Sequence, residues 1–340
     1  MGKCIFSVIM PCYNSEAYIS KAVDSILNQT YHEWELVAVN DGSTDNTLNI
    51  LNQYAEKDKR IKVFSKENGG YATAVNFGLD KISGDYFLFL GSDDYLGLDL
   101  FERLCGYFEE FGLFPDMVAF RTRVFFKEND VGCVEQYTNF EWPLSCLCGF
   151  KEFTRTYPEY AAIFQTRDTS RCYKRELLGD TRYFGKTGMD ADGIFSMLIC
   201  HKAHSFSNVP VDGYFWYKRK GSVSSSMSLK KRIDRISNWH EFFRIISEKY
   251  ANEITDTEKE YLRELSHLIV RLSSTPKTAF EYRKFIKNEA RFTKEVSKKF
   301  NIKHLKYLNI VEYVPVMFSL AYLVYSFLEK IARIARSQGR

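Results

Sequence analysis

A short apolar segment that ends in two adjacent aspartates constrains this chain more than any other feature. Residues 86–90 (YFLFL) carry no charge, which is typical of a fully buried strand. Gly91, Ser92, Asp93 and Asp94 follow directly. Because two neighbouring carboxylates repel each other at the end of a buried strand, we expect a cation beside them, most simply a divalent metal ion.

Strand and helix signals alternate four times before residue 111, each apolar run being followed by apolar residues at helical spacing. This alternation predicts an α/β fold with a mostly parallel, Rossmann-like sheet flanked by helices. The first strand is expected to stop at Pro11. Ligands bind where the strands of such a sheet end, so we expect four loops to converge on one edge. They are residues 11–14, 40–45, 67–70 and 91–94.

The pattern weakens after residue 116. A further strand is expected at 117–126, irregular strands and loops over 127–182, a helix at 194–200 and a strand at 209–217. Three longer helices are expected at 229–250, 257–272 and 278–300.

Charge separates the chain into two regions. Residues 228–340 carry 23 Lys/Arg and 13 Asp/Glu, a net charge of +10, which leaves about −6 for the first 227 residues. We therefore predict an α/β domain at 1–227, with a nucleotide-binding half (1–115) and an acceptor half (116–227), and a basic helical region at 228–340. A basic surface attracts anionic partners such as a membrane leaflet.

An uncharged run at residues 314–328 is shorter than the roughly 20 residues that a membrane span needs. Three interpretations stay open: a helix packed on its own domain, a helix lying on a membrane surface, and a true span. We expect no nucleic-acid partner, because no reading helix or aromatic platform is recognisable. The eight cysteines lack zinc-finger spacing and are expected to be reduced thiols in the cytosol.

The loop after the first strand lacks the glycines of a dinucleotide or phosphate-binding loop, so a metal ion is the natural partner for a diphosphate. Four motifs occur in order: VIMPCYN at 8–14, VNDGSTD at 39–45, NGG at 68–70 with NFG at 76–78, and SDD at 92–94. Through them, residues 5–100 resemble the family 2 glycosyltransferases, which have the GT-A fold. The resemblance weakens beyond that region and ends near residue 226.

The resemblance assigns roles to individual residues. It implies that Pro11 and Tyr13 line the nucleotide pocket, with Tyr13 stacking on the base, and that Asp41 accepts a hydrogen bond from the uracil or ribose. It implies that Asn68 shapes the sugar–phosphate side, although a role as a turn residue is open. The acids Asp93 and Asp94 would hold Mn²⁺ or Mg²⁺ on the donor diphosphate, and Asp93 would also contact the donor.

An inverting transfer needs a base that takes the acceptor's proton. In the family this base is an acid just before a helix, and Asp192 stands at that position. Because Ala191 replaces the usual glutamate, Asp190 is a rival base, and a purely structural cap is a further alternative.

At two positions the side chain differs in charge from the one that is common in the family. Gly91 stands where many relatives have aspartate, and Val75 where many have arginine. If the arginine contacts phosphate elsewhere in the family, the basic run Lys218, Arg219 and Lys220 is a candidate replacement.

The sequence therefore predicts an inverting glycosyltransferase that moves a hexosyl or N-acetylhexosaminyl group from a nucleotide-sugar, favoured as a UDP-sugar, to a glycan. The expected setting is surface polysaccharide synthesis, with a lipid-linked acceptor and peripheral membrane contact at the cytoplasmic face. Two alternatives are a sugar nucleotidyltransferase and a non-catalytic glycan- or partner-binding module on the same fold.

Overall fold

A computed structural model describes residues 4–125, 135–136, 144–185, 190–218, 228–273, 278 and 281–302. The chain forms two compact units, Met1–Met227 and Ser228–Arg340. Their boundary falls where the charge changes sign along the sequence.

The first unit alternates strands and helices. The strands are β1 (Phe6–Cys12), β2 (Trp34–Asp41), β3 (Ile61–Lys66), β4 (Tyr86–Phe89), β5 (Tyr95–Leu96), β6 (Met117–Phe125), β7 (Glu135–Gln136), β8 (Leu144–Cys146), β9 (Arg171–Lys174) and β10 (Phe206–Tyr217). The helices are α1 (Ile19–Leu27), α2 (Thr47–Lys57), α3 (Tyr71–Leu79), α4 (Leu100–Phe111), α5 (Phe150–Thr156), α6 (Pro158–Thr166) and α7 (Ala191–Cys200).

The strands form one sheet in the order β3-β2-β1-β4-β9-β6-β10-β5, with β7 paired to β6 and β8 to β10. The first four strands of this order are parallel, as is the β6–β10 pair, whereas β9 and β5 run antiparallel to their neighbours. The mostly parallel α/β sheet predicted from the sequence is confirmed.

Apolar clusters cover both faces of this sheet. Alternate strand residues point to opposite faces, so Val8 packs with residues of α1 and α4, whereas Ile9 packs with α3, α5, α6 and α7. Helices on both sides leave the strand ends as the accessible edge, and this is where the loops lie.

Two expectations were wrong in detail. β1 continues through Pro11 to Cys12; β4 pairs only with residues 6–9 of β1, so the missing N–H of Pro11 costs no ladder bond on that side. The irregular region expected over 127–182 contains α5 and α6. Both are short, and α6 begins with Pro158, so neither is long enough to show a clear helical period.

The second unit contains α8 (Leu229–Lys249), α9 (Asp256–Ser273) and α10 (Arg283–Lys299). The first two match the expected helices closely, and α10 covers most of the third. No helix within the described ranges is long and apolar enough to cross a membrane. The uncharged run at 314–328 lies outside those ranges.

Candidate active site

Hydrogen bonds join the loops that follow β1, β2, β3 and β4. Asn14 connects the first two, since its amide N–H donates to Ser43 Oγ at 3.1 Å and its Oδ1 accepts from the Thr44 amide at 2.8 Å. The hydroxyls of Ser15 and Ser92 lie 2.7 Å apart and link the first loop to the acidic loop. The predicted convergence on one sheet edge is therefore confirmed.

Asp41 is 3% exposed and holds the third loop in place. Its Oδ1 accepts from Lys66 Nζ at 2.7 Å and from the Gly69 amide at 3.0 Å, and its Oδ2 accepts from the Gly70 amide at 2.8 Å. The side-chain amide of Asn68 donates to the Asp41 carbonyl at 2.9 Å. Both residues thus form the turn itself, and their contact with a nucleotide stays a prediction.

Pro11 and Tyr13 lie at the end of β1. Pro11 is buried, whereas the Tyr13 side chain is 52% exposed. An exposed aromatic side chain can stack on a base, so the predicted role of Tyr13 stays a prediction that is compatible with its exposure.

Asp94 is buried and fixed by β10. Its Oδ2 accepts from the Tyr214 hydroxyl at 2.6 Å and its Oδ1 from the Tyr217 amide at 2.8 Å. Burial, followed by the charge of Asp93, raises the pKa of Asp94 to about 7 despite these bonds. The folded chain thus holds two acids close together at a cost that a bound cation would remove.

Gly91 leaves room for both carboxylates. A Cβ at this position would lie 2.6 Å from Asp94 Oδ2 and 3.3 Å from Asp93 Oδ1. Both oxygens therefore approach the same point, and they are the hard ligands that Mg²⁺ and Mn²⁺ prefer. Within the described residues no three His, Cys, Asp or Glu side chains form a metal-holding group. The two carboxylates fit Mg²⁺ or Mn²⁺, since Mg²⁺ in proteins is commonly held by one or two carboxylates together with water and substrate phosphates.

Asp192 lies in the first turn of α7, and Asp190 immediately precedes that helix. Asp190 has a left-handed backbone (φ 55°), and its carbonyl accepts from the Ile194 amide at 3.0 Å. The pKa of Asp192 is raised, mainly by burial and also by the charge of Asp190, while the Gly193 amide and Arg167 oppose the rise. A carboxylate with a raised pKa is a better proton acceptor than an ordinary one.

The sequence analysis missed two residues of the turn after α6. Arg167 acts electrostatically on both Asp94 and Asp192, lowering the pKa of each. Asp168 is 1% exposed and hydrogen-bonds to the Tyr183 hydroxyl; burial and then Asp192 raise its pKa. These electrostatic interactions link Asp94 and Asp192 through the same cation. The Arg-Asp dipeptide follows a weakly patterned segment, and no spacing marked it.

The basic run proposed as a phosphate contact is only partly described. Lys218 is exposed, with its Nζ 5.8 Å from the centroid of the Trp216 ring. Arg219 and Lys220 lie outside the described residues. The chain fixes a different cation near the acids, since the guanidinium carbon of Arg167 lies 4.3 Å from the Trp216 centroid.

Known proteins share this fold and these motifs. Residues 7–137 match the family model described as Glycosyl transferase family 2. The chain is 45% identical over 104 residues to an uncharacterized glycosyltransferase of Haemophilus influenzae, covering 30% of this chain and 42% of that protein. It is 40% identical over 130 residues to the minor teichoic acid biosynthesis protein GgaB of Bacillus subtilis, covering 37% of this chain and 14% of that one.

The fold also resembles a solved structure over nearly its whole length. The crystal structure of S. aureus TarS 1-349 in complex with UDP-GlcNAc aligns with a TM-score of 0.67 and 22% identity, covering 94% of this chain and 91% of that one. The sequence similarity to glycosyl transferase family 2 lies in residues 7–137 of this chain. The chain spans less than half the length of the two curated relatives named above.

Proposed function

We propose that this chain is an inverting glycosyltransferase that moves a sugar, a hexosyl or N-acetylhexosaminyl group, from a UDP-sugar to a hydroxyl of a glycan. The observation that carries the proposal is that Arg167 lowers the pKa of both Asp94 and Asp192, in a chain whose residues 7–137 match the family 2 model. Relatives named for teichoic acid and chondroitin synthesis support a role in surface polysaccharide assembly. TarS, the structural relative, was solved with UDP-GlcNAc, which supports the donor class.

Each acid has one task in this proposal. Asp93 and Asp94 would hold Mn²⁺ or Mg²⁺, which supplies positive charge to the diphosphate when bound. Asp192 accepts the proton of the acceptor hydroxyl as its oxygen bonds to the anomeric carbon. The bond from that carbon to the diphosphate oxygen breaks from the opposite face, and UDP leaves with the electron pair.

Release of nucleoside diphosphate tests the activity directly. Purified full-length chain is incubated with UDP-, GDP- and dTDP-sugars, with and without Mn²⁺, and free diphosphate is measured. We expect turnover of a UDP-sugar that depends on the metal. If no donor is hydrolysed or transferred, the non-catalytic binding module replaces this proposal.

Matched variants of the two rival bases test the assignment of the proton acceptor. Asp192→Asn removes the carboxylate of the proposed base, and we expect turnover to fall by about 100-fold or more while UDP binding is kept. Asp190→Asn keeps the carbonyl that starts α7, and we expect a loss of less than about fivefold. The reverse order of the two losses would assign the role to Asp190.

We also propose that the acceptor is lipid-linked and is met at the cytoplasmic face of the membrane. The support is the net charge of +10 over residues 228–340, because clustered Lys and Arg bind anionic headgroups. Sedimentation with lipid vesicles tests this proposal, as set out in the Discussion.

A further inference from the structure

The acids of the proposed site repel further negative charge. Asp93 acts on Asp94, and Arg167 acts on both Asp94 and Asp192. A donor diphosphate adds further negative charge, and its leaving oxygen gains more as the sugar departs. One divalent ion on the acid pair offsets only part of this charge, so a cation from the chain near the same point would stabilise the bound diphosphate.

Val75 does not supply that cation. It lies on α3, is fully buried and packs in the apolar cluster with Phe87 and Phe195. The exposed Lys218 follows β10, and its ammonium lies farther from the Trp216 ring than the Arg167 guanidinium does, at 5.8 Å against 4.3 Å.

The turn that carries Arg167 is anchored on both sides. Asp168 is buried against Tyr183, and Ser170 adopts a left-handed backbone (φ 65°) with its carbonyl accepting from the Phe120 amide at 2.9 Å. The hydroxyls of Ser170 and Thr122 are also hydrogen-bonded. A non-glycine residue in this conformation persists only where its surroundings hold it. Arg167 therefore starts from a fixed backbone.

Trp216 contacts the other end of the side chain. The guanidinium carbon lies over the indole ring, 4.3 Å from its centroid. A guanidinium pairs with phosphate oxygens through the N–H groups in its plane, which a ring contact on its face does not occupy. The next residue along β10, Tyr217, donates its amide to Asp94, so the strand that carries the indole also holds one of the two acids.

We propose that Arg167, held over the Trp216 ring, binds the diphosphate of the donor and stabilises the departing UDP between the acid pair and Asp192. This inference rests on the proposed function. The alternative is that Arg167 only neutralises the neighbouring acids and makes no contact with phosphate.

Binding of UDP and of uridine separates the two roles, because only UDP carries phosphate. Calorimetric titration of the full chain in Mg²⁺ measures both affinities. We expect Arg167→Ala to weaken the affinity for UDP by about 10- to 100-fold, the loss typical of a charged hydrogen-bonded pair, and to leave the affinity for uridine unchanged. Arg167→Lys should recover part of the UDP affinity, because it restores the charge without the planar fork. Trp216→Ala should weaken UDP less than Arg167→Ala.

Arg103→Ala is the matched control. Arg103 lies on α4, its side chain is 63% exposed, and it pairs with Asp99 at 3.6 Å. The Arg103→Ala substitution removes the same positive charge at a position away from the site, so the affinity for UDP should not change. The inference is overturned if Arg167→Ala weakens the affinities for UDP and uridine equally, or if it leaves the affinity for UDP unchanged. Either result leaves the enzyme proposal intact. A wild-type chain that binds no UDP overturns both.

Discussion

Gly91 sets the geometry of the acid pair because it has no side chain. The family's usual aspartate at this position would place a Cβ 2.6 Å from Asp94 Oδ2, an oxygen already held by Tyr214 at 2.6 Å. The chain therefore has one carboxylate fewer than the common family pattern, but Gly91 leaves the space in which the Asp94 carboxylate is held. Restoring the family residue would displace Asp94 rather than complete the site.

A pair of glycine-to-alanine variants tests this conclusion. We expect Gly91→Ala to reduce metal-dependent turnover by about 10- to 100-fold, since small displacements of catalytic groups have effects of that size. Gly106→Ala is the control, because a Cβ on Gly106 of α4 meets nothing within 4 Å; it should keep full turnover. Gly91→Asp should lose activity too, and a gain in Mn²⁺ affinity in that variant would contradict the argument.

The raised pKa of Asp168 predicts that the stability of the folded chain depends on pH through this residue. Burial and Asp192 raise its pKa above the ordinary 3.8, so the folded chain keeps a proton that the unfolded chain releases. Its contribution to stability is complete below about pH 4 and is lost as the pH rises toward the raised pKa. Asp168→Asn cannot ionise, so its melting temperature should rise relative to wild type as the pH increases from 5 to 9.

Scanning fluorimetry at several pH values measures this difference. Asp99→Asn, at an exposed position on the surface, should follow the wild-type curve. If the difference in melting temperature between wild type and Asp168→Asn stays constant from pH 5 to 9, Asp168 is ionised in the folded chain.

At the scale of elements, one buried glutamate joins three strands. Glu35 of β2 accepts from Ser7 Oγ of β1 and Lys62 Nζ of β3, each at 2.6 Å, and from the amides of Ser83 and Gly84 before β4. It is 6% exposed. The sequence analysis gave it no role, because a lone charge inside a strand pattern has no local signature. It fixes the relative positions of the strands whose ends carry the site.

The pKa of Glu35 makes its role in joining the strands testable. Burial alone would raise its pKa, but the bonds from Lys62, Ser7 and Ser83 together outweigh burial and lower it from 4.5 to about 2. Its stabilising effect is therefore complete above about pH 4.5 and is lost as the pH falls toward 2. Glu35→Gln should cost roughly 2 kcal/mol at pH 7, a value kept low because Lys62 is partly exposed.

Urea unfolding at pH 7 and pH 3 measures the effect. The difference between wild type and Glu35→Gln should shrink at the lower pH, while Glu110→Gln, on the exposed side of α4, should change little at either. An equal difference at both pH values would mean that lost packing, not charge, destabilises the variant.

At the scale of the whole molecule, the chain combines a slightly acidic α/β unit with a basic helical one. The full chain should sediment with vesicles containing phosphatidylglycerol, and raising the salt from 50 to about 500 mM should release it, since screening weakens exposed charge pairs. Phosphatidylcholine vesicles are the control. Binding to both lipids that persists in high salt would assign the contact to apolar burial, for which residues 314–328 are the candidate.

The sequence by itself determined the α/β class, the loops that converge and the resemblance to glycosyl transferase family 2, because these depend on local periodicity and on motifs carried by single loops. It also placed Asp93, Asp94 and Asp192 at strand and helix ends. Only the tertiary structure decided how these groups act on one another. Tyr214 and Tyr217 lie more than 100 residues from Asp94, and Arg167 reaches the acids only because α6 ends beside β10. Burial, charge coupling and the space at Gly91 arise from these distant contacts, which no local pattern encodes.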